Sequence, residues 1–205
     1  DQDDGRMNPA MRVEFSGRVG TEARRLMGLV DDVLDLIRLE LGRYVLELRI
    51  ARVNDFVKEA IEAVRSQAAE KGIEIEVSLD DKIPSQHLDP AKLRHSVIHL
   101  LRNAIGFAPA RSRVTVTTKL GDGDIRIAVI DRGPAIDASN PGEIFEIDVV
   151  ARNEQERAKN GVGFGLHLTK RFVELHGGSV GAGALPDGRS MLWIDLPWSE
   201  DLSTL

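Results

Sequence analysis

The sequence predicts an α+β protein: a two-layer α/β sandwich with a mixed sheet and helices on one face, preceded by a long helix. Three observations carry this. Segments that alternate apolar and polar residues at period two are interspersed with segments of three- and four-residue periodicity, so strands and helices share the chain. Two strand pairs are joined by short turns, "GDGD" and "PDGR", which makes them antiparallel hairpins. The order of the elements is irregular rather than a repeating strand–helix unit, which argues against an all-parallel sheet.

Taken in order, residues 1–10 are polar and turn-rich and read as a frayed end or a loop. From Met11 to Leu41 the pattern is helical: Leu26, Leu29, Val30, Val33, Leu36 and Ile37 make one stripe, and Gly42 is a stop. So long a striped helix suits a hairpin or bundle. "YVLELRIARV" from Tyr44 alternates like a short strand. Asn54 is placed to cap a helix that runs to Lys71, with Phe56, Val57, Ala60, Ile61 and Val64 inward. "IEIEVSL" from Ile73 is a half-buried strand. Asp89 as cap and Pro90 at the first helical position begin a helix that turns Leu93, Val97, Leu100, Leu101, Ala104 and Ile105 to the core. "RVTVTTKL" and "IRIAVID" form the first hairpin. A polar stretch follows, then a helix after Gly165, then the hairpin "SVGAGAL" and "SMLWIDL". The chain divides as a helical region over 1–43, a sandwich domain over 44–198 and a tail over 199–205.

Composition narrows the function. The 205 residues suffice for one core with a helical appendage. A net charge of -6 argues against a surface built for nucleic-acid phosphates. Cysteine is absent, which excludes disulfides and thiolate metal sites, and no apolar run has the length of a membrane span. No signal-like apolar segment opens the chain, and a cytoplasmic location is the expectation.

The chemistry concentrates around glycine. "NGVGFGLHL" places Gly161, Gly163 and Gly165 ahead of a helix, where close backbone approach and free N–H groups suit a phosphate. It is not a P-loop, which needs Lys and Ser or Thr where Leu166 and His167 stand. Nor is it a dinucleotide fingerprint, because the charged "ARNEQERAKN" precedes it in place of a strand. A loop that merely needs unusual backbone angles fits as well. Two polar residues stand out beside it. Asn103 shares the face of Leu100 and Ala104, and a half-buried amide there requires partners or a ligand. Asp131 ends an apolar strand beside a glycine; a simple turn would also place it so.

In their order these segments resemble the boxes of two-component sensor histidine kinases. "HSVIHLLRNAIGFAP" is similar to the N box, "DRGPAI" to the first glycine box, "EIFE" to the F box and "GVGFGL" to the second glycine box. "GRSMLWIDLP" resembles the closing hairpin, and "LVDDVLDLIRLELG" the second helix of the dimerisation and phosphotransfer hairpin. The resemblance spans residues 12–197 and implies a Bergerat-type ATP-binding fold.

Carried over residue by residue, it implies that Asn103 coordinates Mg²⁺ bridging the ATP phosphates and that Asp131 accepts from the adenine amino group. Gly133 would let the backbone approach the base, and Ser190 would support the adenine and its aspartate. Gly161, Gly163 and Gly165 would hinge a lid, and the helix from Leu166 would offer its N-terminus to the phosphates. Arg152, Arg157 and Lys159 would lie in that lid. The implied cofactors are ATP and Mg²⁺. The implied partners are a response-regulator receiver domain and a second copy in a homodimer. The phosphoacceptor histidine is expected on a helix ahead of this sequence, since none of His87, His95, His99, His167 or His176 has such a context.

The boxes also depart from the pattern: Ala135 stands for a glycine, Gly106 for a basic residue and His99 for an asparagine, while Ile147, Asp148 and Val149 lack the F box's second aromatic. These departures suit a second reading, a degenerate kinase that signals by binding partner proteins. A gyrase- or MutL-type ATPase is disfavoured, because His99 occupies the position of its glutamate.

Overall fold

The computed structural model describes residues 9–134, 136, 142–146 and 164–198. The chain forms two compact units, Asp1–Tyr44 and Val45–Leu205. In the first, α1 (Pro9–Glu40) is one long helix that closes at Gly42, whose N–H bonds Leu39 O at 3.0 Å while Arg43 N–H bonds Arg38 O at 3.0 Å. Leu26, Leu29, Val30, Val33 and Ile37 are all exposed along it. Among the described residues no helix is long and apolar enough to cross a membrane.

The second unit is the expected sandwich. A five-stranded sheet has the order β2 (Glu74–Ser78), β4 (Arg113–Leu120), β5 (Asp124–Asp131), β7 (Ser190–Pro197), β6 (Ser179–Ala184). β2 runs parallel to β4 and every other neighbouring pair is antiparallel, so the sheet is mixed. Both predicted hairpins are present, β4–β5 and β6–β7. One face carries Val114, Val116, Ile125, Ile127, Val129, Leu192, Ile194 and Leu196, which are buried in one core with α2 (Val53–Glu70), α3 (Pro90–Phe107) and α4 (Gly165–Leu175). Each such side chain, fully buried, contributes about 1.5–3 kcal/mol. On the other face Trp193 lies against Gly181 of the neighbouring strand, and Arg126 stacks 5.1 Å over its ring while pairing with Asp195.

Two local expectations are corrected. Asn54 does not cap α2. It sits inside the first turn and is buried, with Nδ2 donating to Asp80 O at 2.9 Å and Oδ1 accepting from Thr118 Oγ1 at 2.9 Å. The cap position falls to Arg52, which offers no side-chain bond. The strand expected from Tyr44 is confined to β1 (Arg49–Arg52), which pairs antiparallel with a strand the alternation did not reveal, β3 (Ser85–Leu88). At α3 the reading holds: Asp89 Oδ1 accepts from Lys92 N at 3.1 Å, with Pro90 following. The C-terminus of α3 is neutralised from outside, as Lys71 Nζ donates to Ile105 O at 2.8 Å and Gly106 O at 2.6 Å.

His176, after α4, locks that helix to the start of α3. Its Nδ1 donates to Phe172 O at 2.7 Å and its Nε2 accepts from Asp89 N at 3.0 Å, so the ring is neutral with its proton on Nδ1. Burial holds its pKa below the usual histidine value, against the opposing effects of the Phe172 bond and the Asp89 charge. The unfolded chain therefore takes up this proton at higher pH than the folded one. The stability tied to neutral His176 is expected to be lost as pH falls below about 6.5 and to level off beneath the depressed folded value, against the opposite contribution of Asp131, whose raised carboxyl gains a proton in the folded chain first. Urea midpoints at pH 7 and pH 5 check this, and His176→Gln is expected to show a smaller difference between them.

Candidate functional site: a pocket along helix α3

Helix α3 organises the site. His99, Asn103 and Phe107 follow one another at four-residue steps and so lie along one face. At one end, a Cβ placed on Gly165 would come within 2.2 Å of His99 Nδ1, so the imidazole rests against the backbone that starts α4. At the other end, a Cβ on Gly133 would meet Phe107 Cβ at 3.1 Å and Asp131 Oδ1 at 2.6 Å. Each approach is closed to any residue but glycine unless a neighbour moves. The two glycine motifs, 32 positions apart in the chain, are thus set against the same helix.

Asn103 stands between these contacts. It is half-buried, and its side chain makes no hydrogen bond among the described residues. Buried amides are ordinarily satisfied, so this one is available to a ligand. An amide oxygen is a hard donor of the kind Mg²⁺ takes.

Asp131 closes β5 on the helix-facing side and is 5% exposed. Its Oδ1 accepts from Gly133 N–H at 2.5 Å. Burial pushes the carboxyl up to about 6, and the Gly133 bond offsets this in part. Holding this carboxylate ionised at neutral pH costs about 3 kcal/mol relative to an ordinary aspartate. A ligand that donates a hydrogen bond to it would relieve that cost. Ser190 is the cross-strand partner of Asp131 and is 3% exposed; its Oγ donates to Pro134 O at 2.9 Å and fixes the chain just after Gly133.

The start of α4 completes the arrangement. Phe164 at its N-cap supplies no side-chain bond, so no side-chain cap holds the first-turn N–H groups among the described residues. The side chain of Leu166 is 2% exposed and belongs to the core, so what this residue presents at the helix start is its backbone. Gly161 and Gly163 lie outside the described residues, as do Ala135, Ile147, Asp148, Val149, Arg152, Arg157 and Lys159.

The structure also shows contacts that the sequence did not announce. The F-box segment forms a 3-10 turn, Glu143–Phe145, with Phe145 1% exposed. His167 Nδ1 lies 3.0 Å from Phe145 O, and Lys170 Nζ pairs with Glu146 Oε1 at 2.6 Å, so two side chains of α4 tie down this turn. Phe107 had no signal beyond its four-residue spacing from Asn103, and His99 was marked only by its place in the N-box segment.

Comparison with known proteins identifies the family of the chain. A family model described as histidine kinase-, DNA gyrase B- and HSP90-like ATPase matches residues 88–200, more than half of the chain. The sensor protein DivL of Caulobacter vibrioides is 31% identical over 179 residues, covering 87% of this chain and 22% of that protein. The alginate biosynthesis sensor protein KinB of Pseudomonas aeruginosa is 28% identical over 179 residues, covering 87% and 29%. The chain thus spans less than a third of the length of these curated relatives. Among solved structures, full-length ShkA in complex with AMPPNP superposes with a TM-score of 0.74 at 26% identity, covering 96% of this chain and 40% of that one. The chain belongs to the histidine kinase-, DNA gyrase B- and HSP90-like ATPase family, and it carries the ATP-binding catalytic domain of the sensor histidine kinases.

Proposed function

We propose that the pocket along α3 binds Mg-ATP and that the intact protein is a sensor histidine kinase, passing a phosphoryl group to a histidine outside this sequence for relay to a response-regulator aspartate. The observation that carries the reading is Asp131: a buried, hydrogen-bonded carboxylate beside a glycine whose Cβ position is filled. Such a group reads a single amino donor, as adenine presents. The other residues fit the nucleotide as well. Asn103 would hold the Mg²⁺ through its amide oxygen. The uncapped N–H groups of Gly165 and Leu166 would face phosphate oxygens, where the helix dipole favours negative charge. Gly161 and Gly163 would extend this contact as the hinge of a lid, and Ser190 would hold the segment against which the base stacks.

ATP, when bound, supplies the phosphoryl group. The chain's own work is positioning, since in-line phosphoryl transfer asks for alignment and charge neutralisation more than for covalent help. The phosphate side of the pocket is built on α4, and α4 is held to α3 and to the 3-10 turn, so the first-turn N–H groups have a fixed direction. Homodimerisation is proposed on the exposed stripe of α1, whose Leu26, Val30, Val33 and Ile37 have the spacing of a helix–helix seam. The receiver-domain partner follows from the family. The reading as a degenerate kinase has no structural observation in its favour.

Calorimetric titration with a non-hydrolysable ATP analogue tests the site. Asp131→Asn is expected to weaken binding about tenfold to a hundredfold, the worth of a hydrogen bond to a charged group. Asn103→Ala is expected to remove the gain in affinity that Mg²⁺ gives and to leave metal-free binding almost unchanged; equal loss in both conditions would count against its role. No detectable binding by the unaltered chain would overturn the proposal, and phosphotransfer to a supplied acceptor hairpin tests the activity.

The pH dependence has a defined sign. Because the ligand prefers the ionised Asp131, affinity is expected to hold above about pH 6 and to fall as the carboxyl protonates below it. Asp131→Asn is expected to abolish that inflection. Gly165→Ala is expected to cost about 1–3 kcal/mol of stability, because His99 must shift to admit the methyl group.

A further inference from the structure

The outer face of the sheet, opposite the helices, carries a cluster that the nucleotide pocket does not use. Glu74 of β2 is in register with Arg113 of β4. The β4–β5 pairing of Thr115 with Ile130 and the β5–β7 pairing of Asp131 with Ser190 extend by one or two residues to Arg132 and Arg189. Arg113, Arg132 and Arg189 therefore stand abreast on three neighbouring strands. Together with Arg111 and Ser112, and with the carboxylates of Glu74 and Glu76 on one side, they line an open cleft of about 420 Å³. Like charges set side by side on a sheet repel, so the row is costly unless something offsets it.

The acidic residues offset it only in part. Arg113 pairs with Glu74 at 3.2 Å and Glu76 at 3.6 Å, and Arg189 Nε bonds Asp187 Oδ2 at 2.7 Å, which leaves the rest of its fork. Arg111 and Arg132 make no side-chain bond or ion pair among the described residues. Ser112 Oγ is shielded from water and has no hydrogen-bond partner among the described residues. Arg111 also sits at φ 59, the left-handed region that a non-glycine residue enters at a cost, with its stem laid against Gly72. In a chain of net charge -6, the cleft's arginines thus outnumber the carboxylates around them, and Arg111 and Arg132 keep donors to spare.

We propose that the cleft binds a phosphate group, either the free ion or the end of a small phosphate ester, on the face of the sheet opposite the nucleotide pocket. Guanidinium forks from several strands suit a tetrahedral dianion with three or four acceptor oxygens, whereas one fork already satisfies a carboxylate. Asp131 and Arg132 are consecutive, one facing the helices and the other the cleft, so this site is separate from the pocket yet adjoins its adenine-side residue through one peptide bond.

Amide shifts of the ¹⁵N-labelled chain, titrated at constant ionic strength with sodium phosphate, glycerol 3-phosphate and sodium acetate, test this. The expected result is a saturable shift at Ser112, Arg113, Arg132 and Arg189 with both phosphates and none with acetate. Tighter binding of the ester would assign an esterified ligand, and equal binding the free ion. Arg132→Glu and Arg189→Glu are each expected to weaken it by about tenfold or more. Arg111→Gly is expected to lose affinity while its melting temperature stays level or rises, because glycine relieves the left-handed strain. A cleft that does not shift at tens of millimolar phosphate, or that responds equally to acetate, overturns the proposal, as does an Arg132→Glu chain that titrates like the original.

Discussion

The site depends on how closely α3 is approached at its two ends. His99 leaves no room for a side chain on Gly165, and Phe107 with Asp131 leaves none on Gly133. These contacts fix where α4 begins and where the chain leaves β5, relative to one helix. Asn103, on the same face, then lies between the two glycine motifs without needing support of its own. Packing at this density tolerates little change, so the distance across the pocket is set by the core rather than by the loops.

Electrostatics follow from that packing. Asp131 is pushed up to about 6 because the sheet and α3 bury it, and it survives there because the Gly133 N–H meets one of its oxygens. Ser190 adds no charge; it holds Pro134, and so keeps that N–H in place. The other end is built from backbone instead, where α4 begins without a side-chain cap among the described residues and is anchored by His167 and Lys170. One end of the pocket thus presents a buried carboxylate, and the other the backbone N–H groups that begin α4.

Much of this was legible in the sequence wherever the signal was local. The Asp89–Pro90 start of α3, both hairpins and the oddity of Asn103 and Asp131 could be read from neighbouring residues. What escaped depended on partners distant in sequence. Asn54 looked like a helix cap, yet its partners Asp80 and Thr118 lie 26 and 64 positions away. β3 escaped because "SQHL" has weak strand character and is a strand only through pairing with β1. The parallel pairing of β2 with β4 left no turn to announce it. The fit of His99 against Gly165 crosses 66 positions, and the four-residue spacing from His99 to Asn103 marked a helix face without naming what covers it.

The central claim is that α3 joins the two glycine motifs into a single nucleotide pocket. The most direct measurement follows the backbone amides of Gly133 and Gly165 while a Mg-bound, non-hydrolysable ATP analogue is titrated into the chain. The account requires both to shift along one curve with one dissociation constant. A response confined to one of them, or two curves with different constants, would contradict it.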